Sequence, residues 1–255
     1  MKALKDTWTM TKRSLRHIVR SPDTIITVVI TPIALLLLFV YVFGGALGRQ
    51  TGSVSYVNFL TPGILIMTVI SGIAYAAYRL GADIQRGIIN RFRTMPVSPS
   101  SILGGQALSS TLSNLFSSLL VLAVACGIGF RSGAGPTQWL IFTALIALFT
   151  LATTWMAIFF GLLAKSAEGA GSFSYILMLL IFISPSFVPT SSMASALRGF
   201  AETQPLTPII ETMRSLLING SAGSKAGIAF AWCVGILVLF YLASIRLYRR
   251  KTVGA

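Results

Sequence analysis

The chain has 255 residues, 55% of them hydrophobic and only 10% charged, with a formal net charge of +14. Its mean hydropathy is +0.81, and a typical soluble domain carries about 25% charged residues, so the composition excludes an ordinary water-soluble domain and points to an all-α membrane protein. No polar block is long enough to fold by itself, and residues 1–255 read as a single transmembrane unit.

The basic residues gather at the ends of apolar runs rather than in one stripe, which argues for membrane topology and against nucleic acid as the partner. Cys126 and Cys233 sit far apart inside apolar runs, so neither a disulfide framework nor a metal pair is indicated.

Residues 1–24 open with an amphipathic pattern. Leu4, Trp8, Leu15, Ile18 and Val19 share one helical face, while Lys5, Lys12, Arg13, Arg16 and Arg20 largely occupy the other. Such a basic helix beside a span lies in the membrane interface against lipid headgroups. It serves as a topological anchor or holds a cytoplasmic partner. The lone histidine, His17, falls in this segment and reads as interfacial.

Six runs have the roughly 20 apolar residues that a spanning helix needs: 25–44, 57–78, 107–130, 138–163, 170–188 and 227–247. The first is read as a retained span, because about two dozen residues carrying Lys and Arg precede its long core. With both termini inside, fifteen of the 20 Lys and Arg fall in cytoplasmic segments. That bias predicts a multi-pass membrane protein with both termini cytoplasmic.

The cytoplasmic stretch 79–101 is short but patterned. Ile84, Ile88 and Phe92 recur every four residues, between polar Gln85, Arg86, Asn90, Arg91 and Arg93. The spacing predicts a short amphipathic helix stopped by Pro96 and Pro99, with Ser98 or Ser100 capping the entry to span three. It is either a docking surface or a basic anchor on headgroups.

Span three is dense in polar side chains: Ser109, Ser110, Ser113, Asn114, Ser117 and Ser118. Ser110, Asn114 and Ser117 follow i, i+4, i+7 and share a face, which in lipid turns toward another helix or a wet pathway. Gly227, Ala231 and Gly235 in span six, and Gly44 with Gly48 in span one, are weak signals of close helix approach.

In residues 185–220, Pro185 and Pro189 interrupt the end of span five, and two short helices follow. The second is predicted to have Thr207 as N-cap, Pro208 at its first position and a stop at Asn219-Gly220. Glu211 and Arg214, at i and i+3, can pair with each other or across a dimer. These pieces form either a lid or a plain connection.

Several chemistries find no support. There is no phosphate-binding Gly-x-x-x-x-Gly-Lys-Ser/Thr, no metal-ligand spacing and no nucleophile–base pair, so no catalytic residue is assigned. All six Asp and Glu lie at or beyond span ends, which disfavours an ion-coupled carrier; an intramembrane enzyme is disfavoured as well.

The segment ADIQRGIINRFRTMPVSPSSILGGQ resembles the loop after the second span of type 2 ABC-transporter permeases of the daunorubicin-resistance, drug-exporter branch. Asp83, Gly87, Arg91, Arg93, Pro96 and Val97 match its pattern. A second match runs through Pro185, Phe187, Val188, Pro189, Met193, Leu197, Pro205, Thr207, Pro208 and Arg214. Gln204 and Ala194 depart from the pattern, at positions where Asn and Pro are common.

The resemblance implies two permease chains, as a homodimer or with a sister permease, each of six spans above a separate ATP-binding subunit that carries ATP and Mg. Asp83, Gly87, Ile88, Arg91, Phe92, Arg93 and Pro96 would form the coupling helix docking on that subunit. Pro185, Pro189, Pro205, Pro208, Glu211 and Arg214 would belong to a re-entrant extracellular gate. The resemblance implies export of a small hydrophobic or amphipathic compound (a drug, antibiotic or lipid-like molecule) across a bacterial-type cell membrane, with a polysaccharide or teichoic-acid exporter as the alternative.

Overall fold

A chain surrounded by lipid has to satisfy its backbone hydrogen bonds internally, and helices do so locally. The computed structural model describes residues 26–48, 55–86 and 99–253, which are mainly helical, and no strand occurs among the described residues. The helices are α1 (Ile26–Leu47), α2 (Tyr56–Gln85), α3 (Pro99–Gly127), α4 (Pro136–Leu163), α5 (Ala167–Gly171), α6 (Phe173–Phe182), α7 (Ser195–Thr203), α8 (Leu206–Arg214) and α9 (Ala226–Val253). Residues 1–25, with the expected interfacial helix, lie outside the described residues.

Five helices, α1 to α4 and α9, are long and apolar enough to cross a membrane. The run 170–188, read as a fifth span, differs from expectation. It forms α5 and α6, joined at Ser172, and the apolar helical stretch Ala167–Phe182 ends well before Val188. At 1.5 Å per residue these 16 positions reach about 24 Å, less than the roughly 30 Å hydrocarbon core. The chain then turns through Ser184-Pro185-Ser186, where Pro185 lacks a backbone donor and disfavours a helical Ser184.

α2 also differs, continuing past Tyr78 through Arg79 and Asp83 to Gln85. The first residues expected in a cytoplasmic loop are therefore the end of this long helix. Pro99 begins α3 instead of ending the preceding helix, a position where its missing N–H costs nothing. Ser100 is accordingly inside α3 and Ser98 lies outside the described residues.

α2 is the central post. Leu60, Ile64, Ile66, Ile70 and Ile73 along it are fully enclosed by α3, α4, α5, α6 and α8. Its lower half packs tightly because small residues face it. A Cβ on Gly81 would come within 2.9 Å of the Ala170 Cβ, and one on Gly161 of α4 within 3.0 Å of the Leu80 Cδ2. α1 and α9 lie at the periphery, with Tyr41, Val42 and Leu239 turned outward, an arrangement that lipid tails accept as readily as protein. Gly227 and Gly235 of α9 stand in open space, and a Cβ on Gly44 or Gly48 would meet Tyr56 at ordinary contact distance.

Candidate functional site

Two places stand out because polar groups are buried there: a pinned break at one end of the bundle, and a seam between α2 and α3.

The break is residues 183–189. Three elements hold it. From α8, the Arg214 guanidinium donates through Nη2 to the Pro185 carbonyl at 2.6 Å and through Nε and Nη2 to the Phe59 carbonyl of α2 at 3.2 and 3.0 Å. The same guanidinium lies 3.7 Å from the centre of the Phe59 ring. From the start of α2, the Tyr56 hydroxyl donates to the Phe187 carbonyl at 3.3 Å. From α1, Phe39 stacks on Phe187 at 4.8 Å, with Phe182 on a further side at 5.0 Å.

The local sequence explains why the contact forms here. Pro62 lies inside α2 and offers no N–H to the Asn58 carbonyl one turn earlier, beside Phe59. Gly63 follows, and a Cβ there would sit 2.7 Å from the Ser186 Cβ, so only glycine admits the broken segment this close. Pro185 is buried against these groups and Pro189 begins the exit toward α7. Enclosure lowers the Arg214 pKa to about 10, with Glu211 opposing the shift, so the side chain remains cationic at neutral pH.

The expected Glu211–Arg214 pair is not formed within the chain. Glu211 pairs instead with Lys225, Oε2 to Nζ 2.6 Å, while Arg214 spends its donors on carbonyls. A guanidinium has five fixed N–H donors, and Arg214 directs them at two carbonyls on separate elements.

Thr207 is likewise not the N-cap. α8 begins at Leu206 after Pro205, and the Thr207 Oγ1 donates back to the Ala201 carbonyl of α7. Pro208 is the third residue of α8, still within the turn whose N–H groups lack intrahelical partners. The stop at Asn219-Gly220 is where expected: Gly220 is left-handed at φ 63°, after one wide turn that prolongs α8.

Two further clamps bring neighbouring loops to the same end of the bundle. Asn58 of α2 donates to the Arg131 carbonyl at 3.0 Å and accepts from its N–H at 2.9 Å. Gly133 and Ser132 both donate to the Leu217 carbonyl. The opposite end holds the last turn of α2, where Gln85 donates to the Lys165 carbonyl at 3.2 Å. Asp83 lies on that turn, half-buried. Gly87, Ile88, Arg91, Phe92, Arg93 and Pro96 lie outside the described residues.

The seam between α2 and α3 contains the polar face noted in the sequence. Ser110, Asn114 and Ser117 are all buried. The Asn114 amide fills a notch that Gly72 leaves in α2: a Cβ on Gly72 would lie 1.6 Å from the Asn114 Oδ1. Beside it is a void of about 10 Å³, lined by Gly72, Tyr75, Arg79, Ser110, Ser113 and Asn114, room for one water.

Elsewhere in the spans, buried hydroxyls bond the carbonyl four residues back, as Thr61, Thr68, Thr150 and Thr154 do. On α3 the Thr111 Oγ1, Asn114 Oδ1 and Ser118 Oγ are buried with no hydrogen-bond partner.

The family model of the ABC-2 type transporter matches residues 5–218. The chain belongs to that family. The permease is 27% identical over 251 residues to the daunorubicin resistance ABC transporter permease protein DrrB1 of Streptomyces coeruleorubidus, covering 98% of this chain and 88% of that relative. It is 24% identical over 245 residues to the probable doxorubicin resistance ABC transporter permease protein DrrC of Mycobacterium tuberculosis, covering 95% and 87%. A third similarity, 27% over 218 residues, is to the putative transport permease ycf38 of Porphyra purpurea. The chain is thus a membrane permease subunit of an ABC exporter.

Against this family, sequence reasoning overlooked Tyr56, Asn58, Gly63, Gly72 and Lys225. Pro62-Gly63 and Gly72 in an otherwise apolar run were the available signal for two of them. The others make bonds to loops more than 70 residues away or to a carboxylate on another helix, which local spacing does not reveal.

Proposed function

We propose that this permease, paired with a second permease chain, exports a small hydrophobic or amphipathic compound under the drive of a separate ATP-binding subunit. The observation that carries the reading is the α2–α3 seam. Its Asn114 Oδ1, buried against Gly72 without a hydrogen-bond partner, costs about 1–3 kcal/mol. The cost is removed when the two helices part and the face is wetted or meets polar groups of a passenger. The seam then alternates between a closed, dry state and an open one in which Ser110, Asn114 and Ser117 border the route.

In this reading Ala167–Phe182 and the turns after it act together as a sixth, broken span. Residues 183–220 form the gate at the outer surface, with Pro185, Pro189, Pro205 and Pro208 shaping its turns. Arg214 latches it to α2. Asp83 at the end of α2 leads into the coupling helix, where Gly87, Ile88, Arg91, Phe92, Arg93 and Pro96 would meet the ATP-binding subunit. That subunit supplies ATP and Mg. Both termini are cytoplasmic, as the Lys and Arg distribution favours. The names of the two resistance permeases support an anthracycline-like, apolar passenger.

The test is ATP-dependent movement of fluorescent daunorubicin in vesicles holding the permease with its ATP-binding subunit. Asn114→Leu should change the rate or the range of compounds moved while the complex still assembles. Unchanged transport of every compound by Asn114→Leu would return the seam to simple packing.

A further inference from the structure

A second cavity, separate from the seam, opens where α8 faces the start of α9. It has a volume of about 160 Å³ and is bounded by Glu211, Thr212, Ser215, Gly223, Ser224 and Lys225. That is room for several waters and for a compact polar headgroup.

Its wall carries both signs of charge. Lys225 and Glu211 pair at 2.6 Å yet remain partly exposed, and an ammonium with three donors and a carboxylate with about four lone-pair sites each retain capacity for a ligand. Thr212 adds an independent sign of an occupant. It lines the cavity at 1% exposure, and its Oγ1 has no partner, although the threonines of α2 and α4 bond their own helices. The first turn of α9, 28 residues long, begins at Ala226 beside Lys225 and offers free N–H groups and the positive end of its dipole.

Below the cavity the surface changes character. Lys225, Ile228 and Trp232 follow i, i+3, i+7 and share one face, and Ile228 and Trp232 are 53% and 43% exposed. A polar cup therefore sits at the end of an apolar helix, with an apolar stripe running down from it.

We propose that this cavity binds the zwitterionic headgroup of a membrane phospholipid of the phosphoethanolamine type. The phosphate is held by Lys225 and the first turn of α9, the ammonium by Glu211 and the Thr212 and Ser215 hydroxyls. One acyl chain follows Ile228 and Trp232. A purely anionic headgroup is disfavoured because Glu211 sits in the wall, and a choline headgroup because its quaternary ammonium has no N–H to donate. A soluble zwitterion would leave the apolar stripe unused.

The test uses the full chain in vesicles containing phosphatidylethanolamine or phosphatidylglycerol with brominated acyl chains, which quench nearby indoles. The Trp232 contribution is isolated by subtracting the signal of Trp232→Phe. Brominated phosphatidylethanolamine should quench Trp232 at a lower mole fraction than brominated phosphatidylglycerol. Lys225→Ala and Thr212→Val should each reduce that preference about fivefold, the effect of one net hydrogen bond. Lys225 is 44% exposed on its side chain, so its variant keeps the test usable if Thr212→Val fails to fold. Equal quenching by the two lipids overturns the proposal, as does a preference untouched by either variant. Displacement by soluble phosphoethanolamine as effectively as by the lipid also overturns it, by showing a site for a free zwitterion.

Discussion

Gly72→Ala is the sharpest single perturbation the structure offers. The added methyl would sit 1.6 Å from the Asn114 Oδ1 and 2.6 Å from its Cγ, about 1.8 Å short of an ordinary carbon–oxygen contact. Asn114 is 2% exposed, so its amide has no free volume to enter beyond the small void beside it. Overpacking of this kind costs about 1–3 kcal/mol, against which alanine returns about 0.5–1 kcal/mol of helix preference over glycine.

The net effect should be a loss of about 1–2 kcal/mol, or a few degrees in melting temperature for a chain of this size. In an Asn114→Ala background the obstruction is gone and only the helix preference remains, so the same Gly72→Ala change should become stabilising. The assay is the midpoint of thermal unfolding of the purified permease, followed by size exclusion after heating, for all four members of the cycle. An effect of the same sign in both backgrounds would refute the notch as the reason glycine is needed.

Arg214→Lys retains the charge but loses the planar fork that reaches Phe59 and Pro185 together. It should lower stability by about 1–3 kcal/mol and slow export, and wild-type melting and transport would remove the latch from the gate. Because Glu211 pairs with Lys225 at a partly exposed site, the coupling energy of that pair in a double-mutant cycle should stay under about 1 kcal/mol. Exchanging Glu211 with Arg214 should not rescue transport, and recovery by that exchange would show a functional pair the static structure does not display. Phe92→Ala should release the ATP-binding subunit on co-purification while membrane insertion persists; unchanged association would reduce residues 79–101 to an anchor. A membrane-impermeant thiol reagent should label Phe200→Cys from outside and leave Asn90→Cys untouched, and the reverse pattern would invert the proposed orientation.

Much of the architecture was legible without coordinates, because lipid imposes a simple rule. Runs of about 20 apolar residues have few alternatives to spanning helices, and α1 to α4 and α9 appear near the predicted positions. The left-handed stop at Gly220 was legible for a similar reason, since glycine after asparagine is a local conformational signal. The shared face of Ser110, Asn114 and Ser117 came from helical period alone, and all three are buried as a group.

Local pattern could not supply the identity of distant partners. Arg214 looked suited to Glu211 because both lie on one short helix. It binds instead two backbone carbonyls, 155 and 29 residues away, and carbonyls belong to every residue, so no sequence code marks the pair that will converge. Hydropathy ran on to Val188, but helical geometry ended at Phe182, since the apolar signal reports solvent and not backbone direction. Gly72 and Asn114 each had an ordinary setting until packing set one into the absence left by the other. The sequence by itself determined helices, their apolar faces and their stops, all properties of neighbours along the chain. Only tertiary structure decided which buried polar groups find partners and which, as on α3, are left without them, because that depends on the groups the folded chain brings across from elsewhere.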